Sequence, residues 1–286
     1  MREHCRFAEI DDSFAEWNVA KIAILPVPYD MTSTWIKGAD KGPFAIFEAS
    51  QALELYDIET DSEVYKNGIY TCPPLDVDPV PEKMVKEVEN KVQELLASEK
   101  FTILVGGEHS VSIGSVKAHI LKHGDISVLQ LDAHSDLRDE YKSSRYNHAC
   151  TGARIKEMCS LIQVGVRSLD ACEKSSIIPE NMFYAKDIIA KDDLGKDVLK
   201  RLSDKVYVTI DLDVFDPSIM PSTGTPEPGG LDWYSAIGLL KEVAKNREVV
   251  GFDVAELCPN SNNKAPDFLA AKLIYKFLSY IYKYQG

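Results

Sequence analysis

Asp132, His134 and Asp136 stand at alternate positions in Leu129-Gln-Leu-Asp-Ala-His-Ser-Asp-Leu137, and Asp211 and Asp213 do the same in Val208-Thr-Ile-Asp-Leu-Asp-Val-Phe-Asp-Pro217. Each set closes a run with strand chemistry, Ile126–Leu131 before the first and Val206–Ile210 before the second. Side chains two apart on an extended chain share a face. Five metal-capable groups therefore project from the ends of two strands, where open α/β sheets place their ligands. Composition alone predicts about 0.04 occurrences of Asp-x-His-x-Asp in such a chain. A lone strand-end Asp is ordinarily a helix cap or an Asx-turn. Five such groups in two matching contexts read instead as a carboxylate-rich metal site.

A third segment, Val105-Gly-Gly-Glu-His-Ser110, follows the apolar run Phe101–Val105 and precedes a helical pattern from Val111. Its two glycines permit a sharp turn and close backbone approach. His109 then sits at the mouth of a third strand, or else merely starts a helix with Ser110 as cap.

Strands are expected over Lys21–Pro26, Phe101–Val105, Ile126–Leu131, Ser160–Val166, Val206–Asp211 and Glu248–Asp253. Apolar residues at helical spacing mark Pro43–Tyr56, Pro81–Ser98, Val111–His123, Ala190–Leu202, Asp232–Asn246 and Pro266–Tyr284. This alternation predicts an α/β fold: a single three-layer αβα domain over 1–286 with a mostly parallel central sheet. The last segment is expected to pack on its own sheet rather than on a neighbouring subunit.

Composition fits one large core, with 45% hydrophobic residues in 286. A net charge of −13 argues against nucleic acid and anionic membrane as partners. The cysteines Cys5, Cys72, Cys150, Cys159, Cys172 and Cys258 lack Cys-x-x-Cys spacing and read as reduced structural thiols. No apolar run reaches membrane-spanning length, and the N-terminus lacks a signal peptide's apolar core, so a cytoplasmic location is expected.

Together the motifs resemble those of the ureohydrolase family of arginases and agmatinases. Gly-Gly-Glu-His-Ser, Asp-Ala-His-Ser-Asp and Asp-Leu-Asp-Val-Phe-Asp-Pro match its three metal motifs in order. Further matches are Pro28-Tyr29-Asp30, Asn147-His148, Gly224-Thr-Pro-Glu-Pro-Gly-Gly230 and Asp253-Val-Ala-Glu256, so the resemblance runs from about Val19 to about Tyr280. Two departures stand out: Glu108 where many members have Asp, and Leu257-Cys258 after Glu256. The resemblance implies two Mn²⁺ per subunit, with His109 and Asp136 on one, His134 and Asp213 on the other, and Asp132 and Asp211 bridging. Four carboxylates balance two divalent cations, and oxygen ligands with some imidazole suit Mn²⁺. A hydroxide shared by the two ions would then attack a guanidinium carbon.

The same resemblance makes Glu227 the guanidinium-binding carboxylate and His148 the proton shuttle. His148, Glu227 and Asp136 are thus the expected catalytic residues, with His148 and Glu227 also touching substrate. Ser110 and Ser135 need no nucleophilic role, and His4, His119 and His123 have no comparable context. The loop Leu137–Asn147 resembles the agmatinase version rather than the arginase one, and Asp139, Glu140 and Tyr141 would suit an ammonium tail. Arg138, Lys142 and Arg145 share that loop and suit a carboxylate tail instead. The expectation is hydrolysis of agmatine to putrescine and urea, a polyamine-forming step. Guanidinobutyrate, aminopropyl-agmatine and arginine are alternatives; a two-metal phosphoesterase and a non-catalytic relative are more remote ones. Family resemblance also implies a homo-oligomer, a trimer or hexamer.

Overall fold

The computed structural model describes residues 6–188 and 194–286. Eight strands form one parallel sheet: β1 Ile22–Val27, β2 Ile69–Thr71, β3 Phe101–Gly106, β4 Ser127–Leu131, β5 Ser160–Val166, β6 Met182–Tyr184, β7 Lys205–Asp211 and β8 Glu248–Ala255. The helices are α1 Asp12–Ala15, α2 Gly42–Ser50, α3 Pro81–Ala97, α4 Ser112–His123, α5 Thr151–Lys156, α6 Ala185–Ile188, α7 Leu194–Leu199, α8 Trp233–Asn246 and α9 Ala265–Gln285.

Parallel strands need crossovers, and helices covering both faces bury the strands on both sides. The two-residue period shows this directly. Ile22 and Ile24 of β1, Leu129 and Leu131 of β4, and Val206, Val208 and Ile210 of β7 join one cluster with α2, α8 and α9. Their neighbours point the other way: Ala23 and Leu25 meet Val85 and Val88 of α3, and Val128 meets Tyr207 and Val116 of α4. Helix α9 packs on its own sheet, with Phe277 against Phe252 of β8 at 4.9 Å between ring centroids.

The strand order is β2-β1-β3-β8-β7-β4-β5-β6. The chain runs outward to β6, then returns to insert β7 and β8 between β3 and β4. The four central strands, β3-β8-β7-β4, therefore carry their C-terminal ends side by side although they are far apart in sequence.

Three expectations change. The helix from Pro43 ends at Ser50, not Tyr56. Beyond it the Leu55 carbonyl accepts from the Tyr275 hydroxyl at 2.5 Å and the Glu54 carbonyl from Lys272 at 3.4 Å, so α9 satisfies backbone that a longer helix would have paired. Strands β2 and β6, three residues each, are too short to show an alternating pattern. Of the segment Ala190–Leu202, residues 190–193 lie outside the described residues, and helix covers Leu194–Leu199. His4 and Cys5 also lie outside them; the five described cysteines are free thiols. Among the described residues, no helix is long and apolar enough to cross a membrane.

Candidate metal centre

The loop after β3 is shaped by Gly107. A Cβ there would lie 2.1 Å from the Tyr29 carbonyl oxygen, so only glycine lets this backbone pass. That approach allows Glu108 N–H to donate to the Tyr29 carbonyl at 2.8 Å, and the chain then turns His109 inward. Glu256, just beyond β8, accepts the His109 backbone N–H at 2.7 Å. Two non-glycine residues here, Asp136 (φ 51°) and Glu256 (φ 68°), sit in the left-handed region. Backbone bonds hold both, from Ala153 N–H to the Asp136 carbonyl and from Glu256 N–H to the Gly107 carbonyl.

All six expected ligands converge. His109 Nδ1 lies 3.1 Å from Asp132 Oδ2 and 3.4 Å from both Asp136 Oδ2 and Asp211 Oδ2. His134 Nδ1 lies 2.9 Å from Asp213 Oδ2 and 3.7 Å from Asp132 Oδ1. Two clusters of metal-ligand geometry result, His109 with Asp132 and Asp211, and His134 with Asp132 and Asp213. Asp132 belongs to both, as a bridging carboxylate would.

His109 Nδ1 tests whether these groups suit a metal. It is buried and has no hydrogen-bond partner among the described residues, although three carboxylate oxygens surround it. The other ring nitrogen, Nε2, meets Thr209 Oγ1 at 2.8 Å, and that hydroxyl donates to Asp253 Oδ1 at 2.7 Å. Asp253 also receives the hydroxyls of Ser112 and Tyr207. This carboxylate–hydroxyl–imidazole chain fixes the Nε2–H tautomer and aims the Nδ1 lone pair at the carboxylates, the usual support of a metal-bound histidine. The donor set fits divalent cations.

Electrostatics agree. Burial, then repulsion from Asp213, raises the Asp132 carboxyl. Burial and Asp132 push Asp136 up to about 7. Burial alone would lower the His134 imidazole, but Asp213, Asp132 and Asp136 push it up to about 10. The cluster is short of positive charge, which divalent cations would supply.

A cavity of about 260 Å³ opens over these groups. Its lining includes His134, Asp136, Asp211, Asp213, Glu256 and His148, together with Trp35, Ile36, Arg138, Tyr141, Asp170 and Glu173. Glu227 stands beside it, 36% exposed, with Oε1 4.0 Å from His134 Nε2. Burial first, then the charges of His134 and His109, holds the His148 imidazole down to about 4. Ser110 and Ser135 donate to the carboxylates of Glu108 and Glu173, at 2.6 Å and 2.7 Å.

The loop Leu137–Asn147 departs from expectation. Asp139 gives its carboxylate to Arg145 and Arg154 and does not line the cavity, whereas Asp170 and the buried Glu173 do. Arg145 is further engaged by Glu157, and Lys142 lies over the Tyr141 ring. Arg138 lines the cavity but faces Asp170 at 3.2 Å and lies over Tyr141. Sequence reasoning also missed Arg167, at the end of β5. Its guanidinium donates to the carbonyls of Asp213 and Glu227, each at 2.7 Å, and to that of Pro228 at 3.0 Å, tying two site loops together.

Residues 20–279 match the arginase family. The N(1)-aminopropylagmatine ureohydrolase of Synechocystis is 35% identical over 91% of this chain and 89% of its own length. The agmatinase of Pyrococcus horikoshii is 34% identical over 90% of each. The crystal structure of agmatine ureohydrolase from Thermoplasma volcanium superposes with a TM-score of 0.88 at 28% identity, covering 99% of this chain and 96% of that one. The eight-stranded parallel sheet, the converging ligand set and the extent of these matches agree: the chain belongs to the arginase family of ureohydrolases.

Proposed function

We propose that this chain hydrolyses the guanidinium group of a cationic guanidino compound, agmatine in the first instance, giving putrescine and urea. The relatives carry the choice of a cationic tail: those named agmatinase and N(1)-aminopropylagmatine ureohydrolase are 34–36% identical to this chain. Among the described residues Arg138 is the one arginine lining the cavity, and it pairs with Asp170 at 3.2 Å, so a carboxylate tail would have to displace Asp170 and an ammonium tail Arg138. N1-aminopropyl-agmatine is the second reading, because relatives 35–36% identical to this chain carry that activity in their names.

His109, Asp132, His134, Asp136, Asp211 and Asp213 would hold two Mn²⁺, which would supply Lewis acidity to activate water near neutral pH. Glu227 would accept hydrogen bonds from the guanidinium and orient its plane across the site. His148, neutral at working pH, would take up a proton and pass it to the departing amine. A cytosolic setting and a closed homo-oligomer, trimer or hexamer, complete the reading by family resemblance.

The test is urea release from agmatine, N1-aminopropyl-agmatine, arginine and 4-guanidinobutyrate with Mn²⁺ supplied. A buried carboxylate left unpaired costs about 1–3 kcal/mol or more. kcat/KM for one of the two cationic substrates should therefore exceed that for arginine by about two orders of magnitude. A guanidino acid as best substrate would overturn the tail assignment and leave the chemistry standing.

A further inference from the structure

Thr32, Glu108 and His148 come from three loops distant in sequence and meet beside the cavity. The Thr32 hydroxyl donates to Glu108 Oε1 at 2.5 Å. Thr32 Oγ1 itself accepts the His148 backbone N–H at 3.0 Å and stands 3.1 Å from His148 Nδ1. We propose that Glu108 and Thr32 are positioning residues that lock His148 in its Nδ1–H tautomer, leaving Nε2 as the nitrogen that handles the amine's proton. This rests on the reading of His148 as the proton carrier.

Hydrogen-bond valence carries the inference. A threonine hydroxyl has one proton and two acceptor sites. Glu108 is fully buried and receives four donors: Thr32 N–H at 2.6 Å, Ser33 N–H at 3.1 Å, Ser110 Oγ at 2.6 Å and the Thr32 hydroxyl. So many donors mark it as an acceptor, and the single Thr32 proton goes to it. Were that proton turned toward His148 Nδ1 instead, two oxygen lone pairs would face each other across 2.5 Å. The Thr32 oxygen can therefore only accept from the ring, and a neutral His148 must carry its hydrogen on Nδ1. The second acceptor site is filled by the His148 backbone N–H, which fixes the ring's anchor as well as its tautomer. Neither residue touches the reacting atoms; both act through the imidazole.

The experiment compares Thr32→Val, Thr32→Ser, His148→Asn and the Thr32→Val/His148→Asn double variant, each loaded with Mn²⁺ and assayed on agmatine and N1-aminopropyl-agmatine. Positioned proton transfer contributes about 10²–10⁴-fold, so Thr32→Val should lower kcat at least about tenfold. KM and bound metal should match wild type, and Thr32→Ser should recover most of the rate. In the His148→Asn background, Thr32→Val should change kcat by less than about twofold, since its partner is gone. Normal kcat in Thr32→Val, failure of serine to rescue, or an equal further loss in the double variant would overturn the relay. Full activity in His148→Asn would instead remove the proton-carrier reading itself, a separate outcome.

Discussion

Thr209→Val isolates the support beneath His109. The threonine accepts from His109 Nε2 at 2.8 Å and donates to Asp253 Oδ1 at 2.7 Å, and all three residues are almost completely buried. Valine keeps the shape and the β-branch, so the strand persists, but both bonds vanish. His109 then has a buried N–H with no acceptor, and Asp253 loses one of three hydroxyl donors. The orphaned His109 N–H costs about 1–3 kcal/mol and the donor lost from Asp253 about 1 kcal/mol more, so about 2–4 kcal/mol of folding stability should be lost. The imidazole is also freed to change tautomer, and loss of such support typically weakens metal binding about 10–100-fold. The assay is competition with a graded chelator, run beside thermal melting of the metal-free protein, with Thr209→Ser as control. One of the two Mn²⁺ affinities should weaken, while Thr209→Ser stays near wild type. Unchanged metal affinity in a destabilised Thr209→Val protein would show that His109 needs no such support and would refute the role given to Thr209 and Asp253.

Arg167→Gln should untie the Asp213 and Glu227 loops and lower kcat/KM about a hundredfold, as a misplacement near 1 Å does; a change under twofold in the urea assay would refute the tie. Glu227→Gln should lower kcat/KM with bound metal unchanged; lost metal would make Glu227 a ligand rather than a substrate contact. Lys276→Met strands the buried Asp57 carboxylate that it contacts at 2.9 Å, and should cost about 3 kcal/mol in denaturant unfolding. Burial works to raise Asp57, but the hydrogen bond from Lys276, with Thr60 and the lysine's charge, holds it below its ordinary value. The pair's stabilisation is therefore present above about pH 4, the unfolded value, and is lost as pH falls through the lower folded one. The wild-type advantage over Lys276→Met should shrink below that pH; an advantage growing there would refute the pairing.

The carboxylate–histidine cluster was legible because its physics is local. Alternate Asp and His residues at the close of an apolar run declare both a strand and a face, and Asp132, His134, Asp211 and Asp213 announce themselves that way. Which strands stand side by side was not legible, since alternation says nothing of the order β3-β8-β7-β4. Thr209 reads as an ordinary strand threonine and Thr32 as an ordinary loop residue; each has meaning only through a partner about a hundred residues away. Arg167 carries no spacing signal, because its acceptors are backbone carbonyls that any sequence supplies. Asp139 misled for the converse reason. It sits in the site loop, but Arg145 and Arg154 claim it, and Asp170 and Glu173 line the cavity instead.

The most direct test is a stepwise return of Mn²⁺ to metal-free protein, with bound metal and urea release from agmatine and N1-aminopropyl-agmatine read on the same samples. The expected result is that turnover rises with the second equivalent bound per chain, and that Asp132→Ala, which removes the carboxylate common to both clusters, binds fewer ions and releases little urea. Full turnover with one ion or none, or an Asp132→Ala protein that binds two ions and works at the wild-type rate, would contradict it.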